Sequence, residues 1–173
     1  MRLRRGLTGA AACVLFALSA CGAGGEGSGD GDPAGAGQAQ QVDLDFTSTT
    51  IDAEPFDGAS LEGEPAVLWF WAPWCPTCAA QASGVNAAFE SYGDQVNIIG
   101  VGGLGIEREM EKFIDRTDTG AIPHLVDESG EVWGHFEVTE QSAFVLIDAD
   151  GSLVFSGYLD NEGLDERIAA MLT

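Results

Sequence analysis

Between Ala66 and Trp71 the chain runs AVLWFW, six apolar residues without a break, and then turns at once into Ala72-Pro73-Trp74-Cys75-Pro76-Thr77-Cys78. An unalternated apolar run of that length suits a central strand covered on both faces. The segment after it carries apolar or small residues at Ala79, Ala82, Val85, Ala88 and Phe89 and reads as a helix to about Tyr92. Cys75 therefore stands where a buried strand gives way to a helix, and Pro76 suits the first helical turn, where its missing N–H would be unpaired anyway.

The rest of the pattern extends this unit. Alternation at Val42-Asp43-Leu44-Asp45-Phe46 and again around Thr50-Ile51 predicts a short hairpin or edge strands. Val96 to Val101 reads as a second buried strand, and Ile106 to Arg116 as a helix with Met110, Phe113 and Ile114 on one face. His124 to Asp127 is a short strand, followed by a turn through Gly130 and one or two helical turns from Glu131 to Phe136. Ala143–Asp148 and Leu153–Gly157 predict a hairpin, and Asn161 to Met171 a last helix with Asn161 as its candidate cap. That order of elements indicates an α/β sandwich with a mixed sheet flanked by helices.

The front of the chain has another character. Arg2, Arg4 and Arg5 precede a mostly apolar run from Leu7 to Ala20, the pattern of a secretory signal, too short for a comfortable membrane span. Its end, Leu18-Ser19-Ala20-Cys21, resembles a bacterial lipobox, so residues 1–21 are expected to be a signal peptide with Cys21 acylated; an ordinary cleaved signal is the alternative. Residues 22–41, rich in Gly, Ala, Ser and Asp, read as a flexible tether, and 42–173 as the folded domain. The expected location is the outer face of the cytoplasmic membrane, anchored through lipid on Cys21, or otherwise secreted.

Cysteine use then narrows. Cys13 lies inside the signal and Cys21 would carry lipid, which leaves Cys75 and Cys78. A two-residue gap closes almost no loop, so a bond between them adds little stability, and the pair serves chemistry or a metal. The formal charge of -21 becomes -24 once Arg2, Arg4 and Arg5 are removed, which argues against nucleic acid as a partner.

A cysteine at a helix start gains thiolate character from unpaired amides and the helix dipole. Cys78 lies one turn on, on the same face, and can close a disulfide back to Cys75. A substrate thiolate would attack the exposed sulfur of Cys75, or Cys75 would attack a substrate disulfide and Cys78 resolve the mixed species. No Lys, Arg or His lies within twenty residues of the pair, so the Cys75 pKa is expected below that of a free thiol but not extremely low.

Trp69-Phe70-Trp71-Ala72-Pro73-Trp74-Cys75-Pro76-Thr77-Cys78 resembles the active-site segment of thioredoxin-fold proteins, especially TlpA-like proteins and the exported DsbE/DsbF-type oxidoreductases of actinobacteria. The likeness spans about Phe46 to Leu172. Ile122–Asp127 with Gly130 and Trp133, and Phe144–Asp148 with Gly151, resemble the family's segments before and within its closing hairpin. The resemblance implies a thioredoxin-like sandwich, extracytoplasmic dithiol-disulfide exchange at catalytic Cys75 and Cys78, and no cofactor beyond that redox-active disulfide. Exported protein thiols or disulfides and a membrane redox partner would be its partners. Trp74, Pro76, Thr77 and Ser142 would shape the substrate groove.

Two positions depart from the family. Ser142, within Thr139–Phe144, stands where the family carries a cis-proline facing the cysteines, and a non-proline cis bond costs roughly 2.5 to 4 kcal/mol, so a trans bond is expected there. Trp69 stands where thioredoxins proper carry a buried aspartate, and core packing is its expected role; Glu107, Glu109 or a water could serve as proton acceptor instead, but acidic residues on a helix are most often solvated and none is assigned a catalytic role. Oxidation of exported proteins is the expected activity, with reduction, for example in cytochrome c maturation, as the alternative.

A thiophilic-metal module is a further alternative, with His124 or His135 adding nitrogen, although a closed zinc site needs four ligands and no second CxxC exists; no metal ligand is assigned. A redox-inactive interaction scaffold is the third class. Gly100-Val101-Gly102-Gly103-Leu104-Gly105 matches GxGxxG with Asp127 downstream, but too little chain remains for a dinucleotide fold, and a glycine-rich strand-to-helix turn is the better reading.

Overall fold

The computed structural model describes residues 39–173, which run β1 (Thr47–Thr49), β2 (Pro55–Asp57), a 3₁₀ turn (Gly58–Leu61), β3 (Ala66–Trp71), α1 (Pro76–Tyr92), β4 (Asn97–Gly103) and α2 (Glu107–Thr117). There follow β5 (His124–Asp127), α3 (Glu131–His135), β6 (Ala143–Ile147), β7 (Leu153–Tyr158) and α4 (Asn161–Met171). The expected signal peptide, Cys13, Cys21 and nearly all of the expected tether lie outside the described residues.

β3 sits at the centre of a five-stranded sheet of order β5-β4-β3-β6-β7, parallel to β4 and antiparallel to β6. All six of its residues are buried, and the strand's period of two divides them between two cores. Val67, Trp69 and Trp71 join the face covered by α1, α2 and α4; Ala66, Leu68 and Phe70 join the face covered by α3 and the segment around Leu44 and Phe46. The unalternated run is what a strand with two dry faces requires, and the mixed sheet flanked by helices is as expected.

Some local expectations shift. Val42 to Phe46 forms no regular strand; Leu44 and Phe46 are buried under the second core, and the pairing falls later, between β1 and β2. Pairing also reaches back to Gln40 and Gln41, which meet Leu153 and Ser152. The cap of α4 is Asp160, whose carboxylate accepts from Gly163 N–H at 2.8 Å, while Asn161 turns its amide to Ser83 Oγ. A carboxylate one residue earlier is the better placed acceptor for the first free amides.

The glycines of GxGxxG are not a turn. Gly100, Gly102 and Gly103 lie within β4, and a Cβ built on Gly100 would stand 2.0 Å from His124 Nδ1, one on Gly102 2.9 Å from the Trp71 ring, and one on Gly103 2.5 Å from Trp133 Nε1. They are small because three large rings press on this strand; only Gly105 belongs to the loop before α2. Asp127 is likewise structural: its Oδ2 accepts from Trp133 N–H at 2.8 Å and ties α3 to β5.

Candidate active site

Cys75 is the N-cap of α1, with extended backbone and Pro76 in the first turn. Its Sγ accepts from Cys78 N–H at 3.1 Å, so one free amide of the helix start points at the sulfur. Cys78 follows within α1, fully buried, and both residues are free thiols.

Ser142 lies beside them. Its Oγ is 3.2 Å from Cys75 Sγ and 3.2 Å from Cys78 Sγ, and its backbone has a left-handed φ of 67°. Three contacts hold that conformation in a non-glycine residue. Ser142 N–H donates to Phe70 O at 2.9 Å, the continuation of the β3–β6 ladder past Ala143. Ser142 O accepts from Gln81 Nε2 at 3.1 Å, and the hydroxyl meets the two sulfurs. A proline at this position could neither reach such a φ nor donate to Phe70.

Gln81 is the residue that the sequence reading missed. Buried on α1 three residues past Cys78, it donates to Ser142 O and to Leu159 O at 2.8 Å and accepts from Trp69 Nε1 at 3.0 Å. Trp69 packs in the core as expected, and its indole N–H anchors this amide. A signal existed: Gln81 is the one polar side chain among the buried positions Cys78, Gln81, Ala82, Val85 and Ala88 of α1.

The two thiols are pushed apart. Burial raises the Cys75 thiol, but the Cys78 thiol, the Ser142 hydroxyl and the amides of Cys78 and Thr77 favour its thiolate and outweigh burial, leaving it below its ordinary value. Burial, first, and donation to Cys75 push Cys78 up to about 11. The cysteine at the helix start is thus the acidic one, as expected, but its sulfur is not exposed: Cys75 is only 2% accessible, because Ser142 and the Ala72–Cys75 turn close over it.

The remaining expected groove residues surround it. Trp74 is 58% exposed and donates from its indole to Leu104 O at 2.8 Å; Pro76 and Thr77 are exposed. A cleft of about 290 Å³ is lined by Pro73, Trp74, Glu109, Lys112 and Arg116, and one of about 210 Å³ by Gln141, Ser142, Ala143, Gly157 and Tyr158 among others. Arg116, distant in sequence, donates to Pro73 O beside the cysteine turn. Glu107 and Glu109 are exposed on α2 and hydrogen-bond to neither sulfur.

Neither histidine joins the cysteines. His124, 1% exposed, accepts from Trp71 Nε1 at its Nδ1 and donates from Nε2 to Thr119 O at 3.1 Å; burial lowers its pKa to about 4. His135 bonds the Asp43 carbonyl. Among the described residues no group of three or more His, Cys, Asp and Glu is arranged to hold a metal.

Residues 39–156 match the model of the AhpC/TSA family. The chain is 36% identical over 130 residues to the soluble secreted antigen MPT53 of Mycobacterium tuberculosis, covering 73% of this chain and 74% of that protein. It is 30% identical over 108 residues to the thiol-disulfide oxidoreductase ResA of Oceanobacillus iheyensis, covering 61% and 55%. Among solved structures it superposes on dsbF of M. tuberculosis, described in mixed oxidised and reduced forms, with a TM-score of 0.71 and 37% identity over 75% of this chain and 98% of that one. A secreted M. tuberculosis disulfide oxidoreductase homologous to E. coli DsbE gives a TM-score of 0.68 and 36% identity over 73% and 96%.

Proposed function

The chain belongs to the AhpC/TSA family and is a thiol-disulfide oxidoreductase of the DsbE/DsbF type, and from that premise we propose that it oxidises protein dithiols outside the cytoplasm. The observation that carries the direction is the hydrogen bonding of Cys75 Sγ by Cys78 N–H and Ser142 Oγ. Donors aimed at this sulfur stabilise the thiolate, hence the reduced pair, and a couple whose reduced form is stabilised is the stronger oxidant.

In the oxidised protein a substrate thiolate attacks Cys75 Sγ; the Cys75–Cys78 bond breaks and Cys78 leaves with the electron pair and takes up a proton, as its raised pKa favours. A second substrate thiolate attacks the substrate sulfur of the mixed disulfide, forming the product disulfide and releasing Cys75 as a thiolate. Two electrons have then passed from substrate to the pair, and a membrane redox partner removes them. The lipobox-like Leu18–Cys21 supports export with lipid on Cys21; palmitate labelling of the wild type but not of Cys21→Ala tests that anchor.

Reduction of substrates is the second reading, favoured by the burial that opposes the thiolate of Cys75. The potential of the Cys75/Cys78 couple separates the two. A value near the roughly -120 mV of strong oxidants supports oxidation, and one near the roughly -270 mV of thioredoxin overturns it.

A further inference from the structure

Ser142 Oγ lies 3.2 Å from each of the two reacting sulfurs. A hydroxyl has one proton to give and lone pairs to receive with, so Ser142 can donate to the Cys75 thiolate while its lone pairs face Cys78, whose thiol proton, held by Cys75 Sγ in the free protein, can turn to Ser142 Oγ once Cys75 is bonded to substrate. We propose that Ser142 is a catalytic residue that relays the proton of Cys78, doing with a hydroxyl what a buried carboxylate would otherwise do.

Three observations support this assignment beyond the distances. Trp69 brings no proton acceptor, and its N–H is committed to Gln81. Cys78 is fully buried, while Ser142, 6% exposed, touches it from one side and lines the cleft toward Tyr158 on the other. The left-handed backbone of Ser142, fixed through Phe70 and Gln81, is what brings the hydroxyl between the sulfurs.

This relay rests on the exchange activity proposed above. The Cys75 thiolate attacks a disulfide R–S–S–R′, forming Cys75–S–S–R and releasing R′S⁻. Cys78 Sγ then attacks Cys75 Sγ; as the Cys75–SR bond breaks, Cys78 passes its proton to Ser142 Oγ and Ser142 gives its own to the departing RS⁻, so that RSH leaves. One proton and one negative charge stand on each side, and the serine ends as it began. In the oxidising direction the same steps run in reverse.

The test uses the reduced protein, Ser142→Gly, which keeps the left-handed φ, and Ser142→Ala, with oxidised glutathione as the disulfide. Ultraviolet thiolate absorbance is expected to show the Cys75 midpoint rising by about one pH unit in both variants. Rapid quenching and mass spectrometry are expected to show the glutathione adduct of Cys75 accumulating, because its resolution by Cys78 slows about a hundredfold. Added imidazole, small enough for the vacated space, should partly restore resolution. The relay is overturned if Ser142→Gly resolves the adduct within twofold of wild type, or if slow resolution is indifferent to imidazole. Wild-type protein that oxidised glutathione never converts to the Cys75–Cys78 disulfide would sink the exchange activity and the relay together, whereas an active wild type with unaltered variants sinks the relay alone.

Discussion

Gln81 Nε2 donates to the Ser142 carbonyl at 3.1 Å, which joins the helix that carries the cysteines to the loop that faces them. The same amide binds Leu159 O and Trp69 Nε1, so three groups, from β3 and the two ends of the β6–β7 hairpin, share one side chain of α1. Replacing it with Met keeps the length and leaves an indole N–H and two carbonyls unpaired in the interior. Each such group costs about 1–3 kcal/mol, so Gln81→Met is expected to lose about 3 kcal/mol or more, read as a lower urea midpoint at unchanged slope. Disulfide exchange should slow as well, since Ser142 loses one of its holds.

Ser142→Pro asks whether the family's usual residue can return to this site. Proline fixes φ near -65° and has no N–H, whereas Ser142 has φ of 67° and donates to Phe70 O. The substitution is expected to destabilise by about 3 kcal/mol, while Ser142→Gly, which fits the backbone, costs less than about 1 kcal/mol. Thermal unfolding of the two side by side checks the order; a Pro variant as stable as wild type would show that the loop accepts the family's geometry at no cost.

The strand-and-helix frame was legible because burial imposes a period, and β3, α1 and α2 fall within a residue or two of where AVLWFW and the Met110-Phe113-Ile114 stripe put them. The N-terminal segment misled because Val42 to Phe46 alternates like a strand yet is buried as an irregular cover, with its apolar residues pressed on α3 and its backbone bonded to turns and side chains rather than along a strand. Cys75 and Cys78 could be read from spacing, and Ser142 from its place before the hairpin. What spacing could not supply was the left-handed φ that swings the Ser142 hydroxyl over both sulfurs, nor the arrival of Gln81 at Ser142 and of Arg116 at Pro73, since those depend on how α1 and α2 dock on the sheet. The glycine motif had the converse fault: its pattern was real, but its cause is three neighbouring rings.

That cause gives a direct test. A methyl on Gly100 would lie 2.0 Å from His124 Nδ1 and 2.8 Å from Trp71 Nε1, atoms already hydrogen-bonded to each other on fully buried rings. Moving either ring breaks the bond between them, so Gly100→Ala is expected to cost about 1–3 kcal/mol through overpacking. A small residue with no nucleotide role predicts no change in reactivity of Cys75 in whatever fraction remains folded, which alkylation kinetics would measure.

The pH dependence of stability should carry the mark of His124. Burial lowers its pKa to about 4 from 6.5, so between those values the unfolded chain binds more protons than the folded one. Stability from this group is therefore complete above about pH 6.5, declines as the pH falls, and levels off below about 4. The window corresponds to about 3 kcal/mol at full extent. His124→Gln, with an amide for the Trp71 N–H to meet, is expected to be less stable at pH 7 yet to lose less on acidification. Parallel slopes for the two proteins between pH 6.5 and 4 would show that carboxylates alone set the acid limit.

Alkylation should resolve the two thiols in time and pH. Cys75 is held below the ordinary thiol value by hydrogen bonds that outweigh its burial, and Cys78 is raised to about 11. Iodoacetamide acts on thiolates, so the reduced protein is expected to take one label below about pH 9, on Cys75, and the second only as the pH approaches 11. Because Cys75 is nearly inaccessible, its rate should fall below that of a small thiol of the same pKa, and denaturant should raise it. Peptide mapping that found the first label on Cys78 would reverse the roles assigned to the pair.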